Sequence, residues 1–162
     1  MTERITPADR AEAARGYFLQ GYGCAQSVLL AFGDLTHLDT ETAARLGSSF
    51  GGGMGRMREV CGAVSGALMV LGLTVGYASP TDKDAKNAHY ALVRDFAERF
   101  KSRNGAGSIV CREILSGVPH TDDGQAEERT AAYYRRRPCP ALCASAAAIV
   151  QEMLDEADRP EA

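Results

Sequence analysis

Four of the five cysteines in this 162-residue chain stand singly, each beside a stretch with helical periodicity: Cys24, Cys61, Cys111 and Cys139. A thiolate is a soft metal ligand and also the nucleophile of thiol–disulfide exchange, so isolated cysteines on separate elements point to a metal centre or to redox chemistry. Cys24 follows Gly21-Tyr22-Gly23 and opens the segment Ala25 to Phe32; Cys139 lies between Pro138 and Pro140, before Ala141 to Met153. Both are predicted helix N-termini, where unpaired N–H groups and the positive dipole end favour a thiolate over a thiol. Cys61, in Val60-Cys61-Gly62-Ala63-Val64-Ser65-Gly66, also fits a small core position. Cys143, four residues beyond Cys139, shares its helix face and reads as a buried small hydrophobe rather than a ligand.

Glycine surrounds these positions. Gly62 and Gly66 lie one helical turn apart and cost about 1 kcal/mol each relative to alanine, so close approach of a second helix or clearance for a cofactor should offset them. The run Gly51-Gly52-Gly53-Met54-Gly55-Arg56 lacks the Lys-Ser/Thr ending of a phosphate loop and follows no predicted strand. Gly52 and Gly53 read instead as a loop passing close to a metal, with N–H groups turned toward cluster sulfides. Met54, Arg56, Met57 and Arg58 read as ordinary helix-start residues, and His89 as a satisfied core histidine on an apolar face. His37 and His120 fall in predicted loops. Glu59 is the one carboxylate considered as a thiol-linked base. No Ser/His/Asp set, Glu-x-x-His repeat or paired-carboxylate motif marks an enzyme class.

The elements that must position these residues are helical. Thr6-Pro7-Ala8-Asp9 opens a helix that Gly21 stops; Cys24 to Phe32 is a second; Asp39 or Thr40 caps a third through Leu46. A fourth is predicted from about Met57 to Leu73, carrying Cys61 in its first turn. Pro80-Thr81-Asp82 starts the longest, with Ala85, Ala88, His89, Leu92, Phe96 and Phe100 on one face. Ser108 to Leu115 makes a short helix around Cys111, His120 to Arg137 is the least ordered segment by composition, and Pro140 to Ala157 is the last helix. The expected architecture is all-α, one compact multi-helix bundle over residues 1–162. A net charge of −3 gives no electrostatic footprint for nucleic acid. The Arg135-Arg136-Arg137 run reads as a solvated helix end. The charged first fifteen residues lack a secretory h-region, and Val60 to Val75 falls short of the roughly 20 apolar residues of a membrane span. A cytoplasmic protein without membrane or nucleic-acid partners is expected.

Gly23-Cys24-Ala25-Gln26-Ser27-Val28, Phe50-Gly51-Gly52-Gly53-Met54-Gly55 leading into Cys61-Gly62-Ala63-Val64-Ser65-Gly66, Cys111-Arg112-Glu113-Ile114-Leu115 and Cys139-Pro140 together resemble the C-GCAxxG-C-C family of redox-active proteins. The chain is also similar to the part of split-Soret cytochromes associated with a non-haem iron–sulfur centre. It has no Cys-x-x-Cys-His, so haem attachment does not carry over. The resemblance implies a functional quartet of Cys24, Cys61, Cys111 and Cys139. Two chemistries compete for it. In one the quartet binds an iron–sulfur cluster, with a single zinc as a variant, for electron transfer or redox sensing with a partner protein. In the other the cysteines are metal-free dithiols, although no Cys-x-x-Cys is present. A helical interaction module with packed cysteines is the third reading. Small-residue helix faces are compatible with a homodimer.

Overall fold

The capping signals at the N-terminus form as expected. In the computed structural model, which describes residues 2–159, α1 spans Pro7–Leu19, with Thr6 and Asp9 closing a reciprocal capping box. Met1 and residues 160–162 of the expected domain lie outside the described residues. Helix α2 (Cys24–Leu30) follows, then the single turn α3 (Gly33–Thr36) and α4 (Thr40–Gly47), capped by Asp39. The long helices are α5 (Gly62–Val75), α6 (Lys83–Ser102) and α9 (Cys139–Ala157); α7 (Cys111–Ile114) and α8 (Ala131–Arg136) are short. Among the described residues there is no strand, only an isolated antiparallel bridge between Val60 and Val110. The architecture is all-α.

Helix α9 is the centre of the bundle. Its alanine-rich sequence buries Ala146, Ala147, Ile149 and Val150 completely, and small residues on several faces let α1, α2, α5 and α6 all approach it. The α1–α9 contact is the most extensive in the fold. Phe18, Phe32, Leu29, Leu71, Phe96 and Phe100 fill the space between these helices without exposure. Each contributes about 1.5–3 kcal/mol through burial. One charged side chain is buried with them: Arg10 of α1 forks onto Asp34 at 2.6 and 2.9 Å, bonds Gln151 at 2.9 Å, and lies 4.4 Å above the Phe32 ring. It ties α1, α3 and α9 together.

Three expectations are corrected. The fourth helix starts at Gly62, not Met57: residues 52 to 58 coil instead through a series of left-handed conformations, at Gly52, Gly53, Met54, Gly55, Arg56 and Arg58. The second helix ends at Leu30, with Ala31 as its C-cap, rather than at Phe32, and Gly33 opens the single turn α3. On α6 the apolar face is buried only at Phe96 and Phe100, which stack at 6.1 Å; Ala88 is exposed, and His89 is half-buried with Nδ1 lacking a hydrogen-bond partner and its ring in a T-shaped pair with Tyr77. No helix among the described residues is long and apolar enough to cross a membrane.

Candidate metal centre

All four single cysteines begin helices. Cys24, Cys111 and Cys139 are the first residues of α2, α7 and α9, and Cys61 is the N-cap of α5. Local sequence explains each start. Gly21 adopts φ 109° and turns the chain out of α1, after which the Gln26 side chain accepts from the Gly23 N–H at 2.7 Å and holds the mouth of α2. Pro140 presets the first turn of α9. Cys61 and Cys111 are set side by side by their own main chains: the Cys61 N–H donates to Ile109 O at 2.8 Å and the Cys111 N–H to Glu59 O at 2.6 Å, flanking the Val60–Val110 bridge.

These four starts face one cavity of about 300 Å³, lined by Cys24, Cys61, Cys111 and Cys139 with Gly52, Gly53 and Gly62. The glycines are required sterically. A β-carbon on Gly62 would stand 2.8 Å from Cys24 Cβ, and one on Gly53 would stand 2.8 Å from Cys111 Cβ and 2.6 Å from the Glu59 nitrogen. Gly53 also needs its φ of 72°. Gly66 lies away from the cavity lining: its added carbon would meet Ala25 O at 2.6 Å, so its work is the contact of α5 with α2. Cys143 is fully buried outside the lining and points its thiol at the Cys24 carbonyl, 3.8 Å away. Glu59 is turned outward to Arg112 at 3.4 Å, away from the thiols.

Among the sulfurs, Cys24 is the favoured site of negative charge. The neighbouring Cys139 and then Cys143 thiols hold it well below the ordinary thiol range, with the charge of Arg129 and the Gly52 N–H adding to them against burial. Cys139 and Cys143 rise for the complementary reason, as neighbours of Cys24, and burial raises them further. Burial, and then the Cys24 charge, pushes Cys61 up to about 12. Burial also raises Cys111, opposed by Arg58. The helix start at Cys139 therefore does not make it a thiolate: its neighbour Cys24 holds the charge, and two adjacent buried sulfurs do not both ionise.

Arginines enclose the cavity, and sequence reasoning did not find them. Arg58 is buried, with Nη1 3.8 Å from Cys111 Sγ. Arg137, the last of the run read as solvated, is buried against Glu127 at 2.6 Å. Arg129 lies 4.1 Å above the Phe18 ring and bonds the carbonyls of Phe18 and Tyr22. Together with Arg56, which bonds Thr121 and Glu127, they pin the polar 120–137 segment across the cavity. Aromatic residues near Arg129 were the available signal: Tyr133 and Tyr134 follow it four and five residues on, and cations stack on such rings. His120 bonds Val118 O at 2.7 Å and Asp122 at 3.2 Å, and His37 caps α3.

Fold and site together define an all-helical protein whose separate helix starts gather soft sulfur donors around one glycine-relieved cavity. The sequence model of a family described as "Putative redox-active protein (C_GCAxxG_C_C)" matches residues 22–153, and the chain belongs to that family. Among solved structures, the split-Soret cytochrome c from Desulfovibrio desulfuricans, described for a novel iron centre, is similar in fold. Its TM-score is 0.62 at 16% identity, covering 96% of this chain and 72% of the cytochrome. No curated protein sequence matches the chain.

Proposed function

We propose that Cys24, Cys61, Cys111 and Cys139 hold an iron–sulfur cluster and that the protein works in electron transfer or redox sensing with a partner protein. The observation that carries this reading is the convergence of four cysteines, from four helix starts, on one cavity cleared by Gly53 and Gly62. The donor set fits the group in number and type, four soft sulfurs being the ligand complement of such clusters with buried arginines to offset their charge, while among the described residues no three His, Cys, Asp or Glu side chains are grouped to hold a single metal ion. The iron centre of the structurally similar cytochrome supports a metal on this fold. A single zinc would need all four sulfurs about 2.3 Å from one point. Sulfurs ringing a cavity of about 300 Å³ suit a polynuclear centre better.

When bound, an iron–sulfur cluster supplies a one-electron couple. The chain's own residues fix its surroundings. Gly52 and Gly53 bring main chain to the cavity wall, Leu142 and Ile114 add apolar lining, and the 120–137 segment restricts water. Arg129 has no carboxylate partner among the described residues, so its charge acts on the Cys24 side of the cavity. A reducing cytosol would keep the four cavity thiols available for metal. Dithiol chemistry is the second reading, and one observation favours it: the neighbouring Cys139 and Cys143 thiols lower the Cys24 thiol well below its ordinary range.

The test is anaerobic purification followed by an absorption spectrum and iron, zinc and acid-labile sulfide analysis of one sample. Iron with sulfide and visible charge-transfer bands is the expected result. Zinc alone, or no metal with reversible disulfide formation between Cys24 and a neighbour, replaces the proposal.

A further inference from the structure

Arg58 occupies a position that backbone chemistry assigns to glycine. Its φ is 61°, in the left-handed region that side chains disfavour, and its main chain is held there at both ends: its N–H donates to Gly52 O at 3.0 Å, and its carbonyl accepts from the Arg112 N–H at 3.1 Å. The side chain is then spent entirely inward. Only 4% of the residue is exposed, and each guanidinium nitrogen has its own acceptor: Nε reaches Asp122 at 3.2 Å, Nη2 reaches Thr121 O at 2.6 Å, and Nη1 points at Cys111 Sγ from 3.8 Å. Asp122 is 69% exposed, so water weakens that pair, whereas the sulfur side of the fork is buried.

From this geometry we infer that Arg58 is a positioning residue for Cys111, holding its sulfur toward the cavity and locking the 120–127 segment to the same sulfur. The orientation follows from the fork. Asp122 and Thr121 O fix two nitrogens of a planar group, which leaves the third no freedom except toward Cys111. The effect on a bound centre rests on the cluster reading, but the contact between Arg58 and Cys111 does not. A fixed positive charge beside a ligating sulfur favours the more negative, reduced state, so removing it lowers the reduction potential.

The experiment compares the wild-type protein with Arg58→Gly, Arg58→Gln and Arg58→Lys. Arg58→Gly suits the φ of 61°, so its fold is retained and its melting midpoint is no lower than that of Arg58→Gln. In metal-free protein, alkylation of each cysteine by iodoacetamide is followed by peptide mass spectrometry, with Cys24 as the internal reference on the same cavity. Loss of Arg58 should raise the rate at Cys111 several-fold against Cys24, because the sulfur is no longer held beneath the guanidinium and the 121–122 segment, with Arg58→Lys restoring part of the protection. An unchanged ratio, or acceleration of both cysteines together, overturns the inference, since a purely structural role would only open the cavity. In cluster-loaded protein the midpoint potential should fall in Arg58→Gly and Arg58→Gln and stay closer to wild type in Arg58→Lys; equal potentials overturn it as well. If the wild-type protein takes up no iron and sulfide, the proposed function fails on its own, and the alkylation ratio still decides the role of Arg58.

Discussion

A cysteine is assigned by what surrounds its sulfur, and here the five divide by surroundings. Cys24, Cys61, Cys111 and Cys139 open onto one cavity; Cys143 lies behind it with its thiol on the Cys24 carbonyl. Replacing any one of the four with serine should therefore abolish or strongly deplete bound iron and sulfide, because a hydroxyl is a poor substitute for a thiolate on soft iron. Cys143→Ser should keep both. Metal-to-protein ratios of the five single variants read this out, and equal loss at Cys143 would redraw the quartet. The quartet was legible in the sequence because each member stands alone beside a helical period. The pairing of Cys24 with Cys139 and Cys143 was not, since it arises where α2 and α9 cross. Arg58 was hidden for a different reason: a left-handed arginine leaves no periodic trace, and it sits where an ordinary helix start was expected.

At the scale of the element, the two helical glycines of the Gly62–Gly66 pair have separate tasks, one clearing Cys24 and the other admitting α2. Sequence spacing posed both tasks but could not distribute them, because distribution depends on which helix crosses where. Gly66→Ala should destabilise the protein by about 1–3 kcal/mol, since the new carbon meets main-chain oxygen that cannot move aside. Gly72, on the same helix, has open space around it, and Gly72→Ala should stabilise by about 0.5–1 kcal/mol through helix propensity alone. Urea unfolding of the two variants measures the contrast, and a common sign would mean that α5 does not rest on α2 at Gly66. The boundaries that sequence located well, Thr6, Asp39 and Asp82, carry side-chain caps that signal locally. The start of α5 has none: Cys61 is fixed by the distant Ile109 carbonyl.

For the whole molecule, Arg10 is the buried cation that ties α1, α3 and α9 together. The Arg10 guanidinium beside Asp34 holds that carboxyl below its usual value of 3.8. A carboxyl depressed in the folded state contributes stability that is complete above its unfolded pKa and is lost as pH falls through the lower, folded value. The urea midpoint of the wild-type protein should therefore fall more steeply below about pH 4 than that of Asp34→Asn, the two curves converging in acid. Parallel curves down to about pH 2.5 would show that the pair contributes no pH-dependent stability. The all-α class was readable from periodicity, but the order of packing was not, because the main partner of α1 is α9, with almost the whole chain between them. That closure has a consequence for biosynthesis. During translation α1 emerges long before the helix it rests on, and Cys24, Cys61 and Cys111 leave the ribosome before Cys139 exists. The nascent chain must carry three unsheltered thiols until α9 arrives, so the cavity can close only after Cys139 has been synthesised.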